Sequence, residues 1–200
     1  MLMQDSNRLA YVGRLTRKTG TDATDYVDPT DRDFYGTPPK WIKLCRQVMG
    51  GIELDPASCR VANDDIVGAE RFFDKEANAL EQSWECETMF LNPPYSNNKV
   101  KGESRLLEQF AAKFHNEWEA GVIGQAIVLV NNATETKAFD LFSRCATAHA
   151  YPRSRIKFVT VTERGNSSNT RAQTFFYYGR RWKRFKRLFS KANCRILREI

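Results

Sequence analysis

The sequence contains few of the residues that build disulfide frameworks and metal sites. Among its 200 residues are five cysteines and only two histidines, and no two cysteines are spaced as Cys-x-x-Cys. An odd number of cysteines without this spacing argues against a disulfide framework and against a zinc site. We therefore expect buried thiols, a reducing cytoplasmic location and no bound metal.

Long apolar segments are also missing. The longest apolar run covers only residues 126–130, whereas a membrane-spanning helix needs about 20 apolar residues. Residues 1–5 lack the basic flank and apolar stretch of a signal peptide, so we expect neither export nor a membrane partner. With 42% hydrophobic and 28% charged residues, the composition is typical of a soluble globular protein.

An excess of positive charge is absent from most of the chain. The net charge is +7, but residues 179–200 contain nine basic residues and one acidic residue, which leaves the other 178 residues at −1. Within this stretch Trp182, Phe185 and Phe189 recur at helical spacing, which predicts an amphipathic helix over residues 180–192. A basic helix can neutralise phosphates and favours contact with nucleic acid, whereas a solvated helix without a partner is the alternative. The candidate contacts are Lys183, Arg184 and Arg187.

The chain divides near residue 34. Residues 1–33 are polar, with five aspartates between Asp22 and Asp33, so we predict a flexible N-terminal segment. Residues 34–200 are predicted to form one domain, beginning with a helix that starts near Pro39 and ends at Gly50. Further predicted helices cover residues 103–118 and 134–144, and predicted strands cover residues 52–54, 88–91, 126–130, 146–150, 155–161 and 174–178.

This alternation of helices and strands indicates the α/β class. Alternating elements favour a mostly parallel sheet with helices on both faces. The last two strands, at residues 155–161 and 174–178, flank a turn-rich segment and are predicted to form a terminal antiparallel hairpin.

The most informative motif is Asn92-Pro93-Pro94-Tyr95, which directly follows a predicted buried strand. Ligand sites in open parallel sheets lie at the carboxyl ends of strands, so the motif stands where a ligand site is expected. A proline turn that only ends a strand is the alternative interpretation.

The four residues suit methyl transfer to an exocyclic amine. The nitrogen of such an amine is a poor nucleophile because its lone pair is delocalised into the purine ring. The Asn92 amide oxygen and the Pro93 carbonyl offer acceptors for its hydrogens, and two proline rings stiffen the turn that presents them. Tyr95 offers a flat face on which a base can stack. Because the amine is inaccessible to a closed pocket in duplex nucleic acid, the nucleotide would have to rotate out of the stack.

The Asn-Pro-Pro-Tyr motif resembles that of amino-methyltransferases, and residues 35–200 resemble the phage-type DNA N6-adenine methyltransferase (Dam) family. Further segments that resemble the family are Tyr35-Gly-Thr37-Pro38, Leu54-Asp55-Pro56-Ala57-Ser58, Trp84, residues 126–130 with Thr134 and Thr136, and Arg155-Ile156-Lys157-Phe158. The resemblance implies a Rossmann-like methyltransferase fold, S-adenosylmethionine as methyl donor and double-stranded DNA as substrate. It also implies the cytoplasm of a bacterial host as the location.

The resemblance assigns roles residue by residue. Asn92, Pro93, Pro94 and Tyr95 would hold and stack the target adenine as the catalytic residues. The donor would be bound by Tyr35, Thr37, Pro38, Asp55, Ala57, Ser58 and Asp74, although an ordinary solvated aspartate is the alternative at position 74. The chain departs from many methyltransferases after Ser58, where Ser-Cys-Arg-Val-Ala-Asn replaces a Gly-x-Gly loop, and Ser154 stands where the family has glycine before Arg155.

Two further basic residues, Arg153 and Arg155, are candidate DNA contacts, with a structural ion pair as the alternative. The resulting hypothesis is transfer of a methyl group from S-adenosylmethionine to the N6 amine of adenine in DNA, with base flipping. The alternatives are an RNA adenine or protein glutamine methyltransferase with the same motif, and a non-catalytic DNA-binding module on the same fold.

Overall fold

Strands and helices alternate along the chain in the computed structural model, which describes residues 36–95, 105–158 and 170–198. The strands are β1 (Leu54–Asp55), β2 (Arg71–Phe72), β3 (Cys86–Leu91), β4 (Ile123–Asn131), β5 (Ala148–Pro152), β6 (Gln173–Tyr178) and β7 (Cys194–Leu197). The α-helices are α1 (Pro39–Met49), α2 (Arg60–Ala62), α3 (Leu106–Glu119), α4 (Lys137–Arg144) and α5 (Trp182–Lys191). A π-helical turn, Asn63–Val67, follows α2, and a 3-10 turn, Ala79–Glu81, precedes β3. The predicted flexible segment of residues 1–33 and Tyr35 lie outside the described residues.

The boundaries of α1 follow from its terminal residues, as the sequence predicted. Pro39 is its first residue, where a missing N–H breaks no intrahelical hydrogen bond. Gly50 ends it in the left-handed conformation, with φ of 98°, and its N–H donates to the Arg46 carbonyl at 2.7 Å. A side chain at this φ would be strained, so the glycine fixes the end of the helix.

The strands form one seven-stranded mixed sheet in the order β2-β1-β3-β4-β6-β5-β7. The first four are mutually parallel, whereas β6 pairs antiparallel with β4 and β5, and β7 pairs antiparallel with β5. The prediction of a mostly parallel sheet is therefore wrong, because the longest ladder joins β4 to β6 in antiparallel register.

The terminal hairpin is only partly as predicted. β6 is antiparallel, but its neighbours are β4 and β5, and residues 155–158 of the predicted partner strand form no strand. The remaining residues of that partner, 159–161, lie outside the described residues. β7 was not predicted, because four residues within a basic stretch give too little alternation to indicate a strand.

Two hydrophobic clusters cover the two faces of the sheet, as predicted. On β4, Ile127 and Leu129 face the cluster that contains α1 and α5, while Val128 and Val130 face the cluster that contains α3 and α4. The two-residue period of a strand produces this division. The predicted C-terminal helix is present as α5, and its aromatic side packs into the first cluster. Within the described ranges, no helix has the length and apolar character needed to cross a membrane.

Candidate active site

Three polar side chains stand where neighbouring parallel strands end. Asp55 is the last residue of β1, Asn92 directly follows β3, and Asn131 ends β4. The strand order reverses between β1 and β3, because β2 lies on one side of β1 and β3 lies on the other. In open α/β sheets, ligands bind outside the carboxyl ends of the strands at such a reversal. Asp55 and Asn92 therefore flank the expected ligand crevice.

Asn92 is joined to the segment that precedes α1. Its Nδ2 group donates to the Thr37 hydroxyl oxygen at 3.4 Å, and Thr37 is buried with 4% of its surface exposed. Pro38, the next residue, caps α1 and accepts the Trp41 N–H at 2.9 Å. The structure thus brings the predicted residues Thr37 and Asn92 together. The bond uses one hydrogen of the amide nitrogen and restrains the orientation of the Asn92 amide group.

Tyr95 is anchored through its hydroxyl group. Its Oη atom accepts the backbone N–H of Asn131 at 2.7 Å, while 36% of the residue remains exposed. Burial of the hydroxyl raises the pKa of Tyr95 above its usual value, and the nearby positive charge of Arg171 acts in the opposite direction. Pro93 is buried and Pro94 is half-buried between the two anchored residues. The motif is therefore fixed at both ends, with an aromatic ring presented at the surface.

Asp55 is a buried carboxyl group with 3% of its surface exposed. Its Oδ1 atom accepts the Ala57 N–H at 3.1 Å. Burial raises the pKa of Asp55 to about 7, although the Ala57 N–H and the Ser58 side chain both lower it. The Ser58 N–H donates to the Phe73 carbonyl at 3.0 Å, which ties the loop after β1 to the segment after β2.

Asp55 and Asp74 both lie near the thiol of Cys59. Burial raises the pKa of Cys59 to about 11, and the negative charges of Asp55 and Asp74 add to the increase. Asp74 also accepts the Ala77 N–H at 2.9 Å, which gives it a role in the local turn. The structure therefore brings Asp74 to the same edge of the sheet as Asp55.

A cavity of about 270 Å³ opens beside Tyr95. It lies between the end of β4, the start of α3 and the start of α4. Its described lining consists of Tyr95, Arg105, Leu107, Val130, Asn131, Ala133, Thr136, Ala138, Phe139, Phe142 and Arg171. Arg105 is the N-cap of α3 and Thr136 is the N-cap of α4, so two helix N-termini meet the cavity. Together with the two arginines, they favour a negatively charged ligand group.

The predicted DNA contacts fall into two groups. Arg153 and Arg155 are exposed and follow β5, whose carboxyl end lies at the same edge of the sheet as Asn131. The exposed residues Lys183, Arg184 and Arg187 lie on α5. This helix starts at the opposite edge, because the Arg181 guanidinium donates to the carbonyl of Met49, the last residue of α1, at 2.9 Å. The structure does not bring the first turn of α5 to Asn92.

Sequence reasoning missed three residues of this edge. Asn131 follows the apolar run of β4 just as Asn92 follows β3, so the same strand-end argument would have found it. Arg105 and Arg171 gave no such signal, because they precede α3 and β6 within polar segments. Arg105 and Arg171 come together only in the folded chain, where both line the same cavity.

Comparison with known proteins gives two matches. A family model described as "DNA N-6-adenine-methyltransferase (Dam)" matches residues 25–200. The chain is also 28% identical to a DNA N-6-adenine-methyltransferase of Haemophilus phage HP1 (strain HP1c1). The alignment spans 131 residues, which are 65% of this chain and 68% of the relative. The family match includes every described element of the fold.

Proposed function

Because the chain belongs to the DNA N-6-adenine-methyltransferase (Dam) family and methylates the N6 amine of adenine in DNA, we propose that the transfer takes place at the edge bearing Asn92 and Asp55. The proposed donor is S-adenosylmethionine, and the target adenine turns out of the duplex to reach the site. The strand reversal between β1 and β3 supports assignment of the sheet to the Rossmann-like methyltransferase fold.

Asn92 and Pro93 are the proposed acceptors for the two hydrogens of the adenine amine. The bond from Asn92 Nδ2 to Thr37 orients the amide before the substrate arrives. Acceptors that are already oriented cost no reorganisation when positive charge develops on the nitrogen. Pro94 stiffens the turn, and Tyr95, anchored through its hydroxyl, stacks on the base.

Asp55 is the proposed anchor for the donor. S-adenosylmethionine supplies an electrophilic methyl group on a sulfonium, and its amino-acid part carries an ammonium group. A buried carboxyl group with a pKa near 7 fits this cation, because an ammonium beside it stabilises the ionised form. Ala57 and Ser58 belong to the loop after β1, and Asp74 lies near this loop. Thr37 and Pro38 border the crevice next to Asn92. Tyr35, which lies outside the described residues, completes the proposed donor site.

The cavity beside Tyr95 is the proposed pocket for the flipped adenine. Its volume of about 270 Å³ is slightly below the ~300–1,000 Å³ of clefts that hold drug-sized ligands, which suits a single base. Arg105 and Arg171, which line the cavity, would pair with phosphates on either side of the flipped nucleotide. A nucleotide outside the stack needs such backbone contacts to offset the cost of unstacking.

The remaining basic residues would bind phosphates farther along the duplex. Arg153 and Arg155 lie at the catalytic edge, whereas Lys183, Arg184 and Arg187 extend the positive surface along α5. Contacts of this kind carry affinity but no base specificity.

The observation that carries the proposal is the anchored Asn-Pro-Pro-Tyr motif, fixed by Thr37 at one end and by Asn131 at the other, beside a base-sized cavity. To test it, the full chain is incubated with tritiated S-adenosylmethionine and unmethylated duplex DNA, and the nucleosides are identified by mass spectrometry. We expect label in N6-methyladenine. Parallel reactions supply RNA or protein in place of DNA. Label in RNA adenine or in protein glutamine, with none in DNA, would replace the proposed substrate, and calorimetry showing no donor binding would indicate a non-catalytic module.

A further inference from the structure

Three potential metal ligands meet where α3 and α4 end, on the side of the fold that also forms the cavity. His115 and Glu119 are one turn apart on α3, and Cys145 is the C-cap of α4. The Cys145 Sγ atom lies 3.9 Å from His115 Nδ1 and 3.0 Å from Glu119 Oε1. All three ligand atoms lie within 4.8 Å of one another.

These distances are close to those expected for one ion between the three groups. Zn²⁺ bonds of about 2.0–2.3 Å in tetrahedral geometry place neighbouring ligand atoms about 3.3–3.8 Å apart. The observed Sγ–Nδ1 distance of 3.9 Å lies just above this range and the Sγ–Oε1 distance of 3.0 Å lies below it, so the side chains would have to shift by a fraction of an ångström to hold the ion. Imidazole, thiolate and carboxylate are the ligand types that Zn²⁺ uses in proteins, and three of them leave a fourth position for water.

The backbone supports a cation at the same place. His115 and Glu119 lie in the last two turns of α3 and Cys145 directly follows α4, and helix C-termini carry partial negative charge, which favours a nearby cation. A nearby basic side chain, Arg144, is bound to Asp140 through two hydrogen bonds of 3.0 Å and 2.5 Å. Its charge is thus partly neutralised by a partner on its own helix.

We propose that His115, Glu119 and Cys145 form a binding site for a divalent transition metal, with Zn²⁺ as the preferred ion. The site is separate from the methyl-transfer edge and replaces the expectation of no metal that cysteine spacing gave. It joins α3 to α4, and α4 lines the cavity through Thr136, Phe139 and other residues of the same helix face. A bound ion would therefore brace two walls of the cavity against each other.

Cobalt absorption tests the site directly. Co²⁺ is titrated into the reduced, metal-free full chain, and a thiolate-to-cobalt band in the near ultraviolet is recorded. We expect the band to saturate at one ion per chain and to disappear when Zn²⁺ is added, because Zn²⁺ binds thiolate sites more tightly than Co²⁺. The Cys145→Ser variant should lack the band. The absence of a band in the parent protein would overturn the proposal.

Two more variants separate loss of a ligand from loss of the fold. Glu117→Gln is the matched control, because Glu117 is on the same helix but accepts a hydrogen bond from Lys113 at 2.9 Å. It should keep the parent band, whereas His115→Ala should weaken Zn²⁺ binding by at least the ~10–100-fold seen when only outer-shell partners are lost. At the same Zn²⁺ concentration, the Tm of the parent and of Glu117→Gln should rise more than the Tm of His115→Ala. An unchanged band in folded Cys145→Ser, or an equal Tm rise in all three proteins, would show that the metal binds elsewhere.

Discussion

The Asn92 amide group donates its Nδ2 hydrogen to the hydroxyl oxygen of Thr37 at 3.4 Å. The two residues are 55 positions apart, and the bond links the end of β3 to the segment that starts α1. An amide group without such a partner could rotate and present its donor instead of its acceptor to the substrate. The bond therefore restrains the amide, and in the proposed site Oδ1 would receive a hydrogen from the adenine amine.

Replacement of Asn92 should separate chemistry from donor binding. We expect Asn92→Ala to reduce kcat by about 100-fold or more, the scale seen when one oriented polar contact to a transition state is removed. The Kd for S-adenosylmethionine should change little. Asn92→Asp keeps an oxygen acceptor at the same position and should retain more activity than Asn92→Ala. Methyl-transfer kinetics and calorimetry measure both quantities, and loss of folding in Asn92→Ala would show that the motif is only a structural turn.

In the proposed site Thr37 would act on the amine only through Asn92, so we expect a smaller effect when Thr37 is replaced. Thr37→Val removes the acceptor at nearly constant volume, and the loss of one hydrogen bond of ~1 kcal/mol corresponds to about a fivefold decrease in kcat. Thr37→Ser keeps the hydroxyl group and should restore the parent rate. Equal rates for the valine and serine variants would mean that the bond to Asn92 does not orient the amide.

Asp55 should make stability depend on pH in the direction opposite to an ordinary aspartate. An unfolded aspartate ionises near pH 4, but burial raises the pKa of Asp55 to about 7 in the fold. Between these values the folded state binds a proton that the unfolded state lacks, so the free energy of unfolding falls as pH rises from about 4 to 7. Above about pH 7 the full destabilisation is present.

The matched variant is Asp55→Asn, which cannot ionise. Without donor, it should be more stable than the parent by about 2–4 kcal/mol near pH 8 and nearly equal to the parent near pH 4. Urea denaturation at the two pH values measures the difference. The parent should also bind S-adenosylmethionine more tightly as Asp55 ionises, and Asp55→Asn should lose this dependence. A constant stability difference across the range would contradict ionisation of Asp55 near neutrality.

Local signals in the sequence were sufficient for the strand ends. Asp55 and Asn92 each follow a predicted strand and precede a proline, so their positions at one edge could be predicted from the chain alone. The position of β6 in the sheet could not be predicted, because its residues are buried on both faces and their pattern is compatible with any neighbouring strand. The cavity could not be predicted either, since its lining comes from residues as distant as Tyr95 and Arg171. Likewise, only the packing of α3 on α4 brings Cys145 to His115.

Tyr95 allows the stacking contribution to be measured separately from its hydrogen bond. Tyr95→Ala removes the ring, and base stacking on an aromatic side chain is worth ~1–3 kcal/mol. We expect a corresponding loss of DNA affinity and weaker fluorescence enhancement from 2-aminopurine placed at the target adenine. Tyr95→Phe keeps the ring but loses the bond from the Asn131 N–H, so its effect should be smaller. If the two variants are equally impaired, the hydroxyl anchor and not the ring is what the site requires.

The two groups of basic residues should differ in what they contribute. Arg171 lines the cavity, and its positive charge acts on the Tyr95 hydroxyl. We therefore expect Arg171→Ala to lower kcat as well as DNA affinity, because the flipped nucleotide would lose a backbone contact next to the reacting base. Arg184 is exposed in the first turn of α5, which lies at the opposite edge of the sheet. Arg184→Ala should lower affinity alone and reduce the slope of log K against log salt by about 0.9 for each lost phosphate contact.

Single-turnover rates at saturating DNA, measured alongside binding at several salt concentrations, separate the effects of the two substitutions. An equal fall in the single-turnover rate for both variants would mean that α5 lies against the DNA near the reacting base, contrary to the position of its first turn at the opposite edge of the sheet.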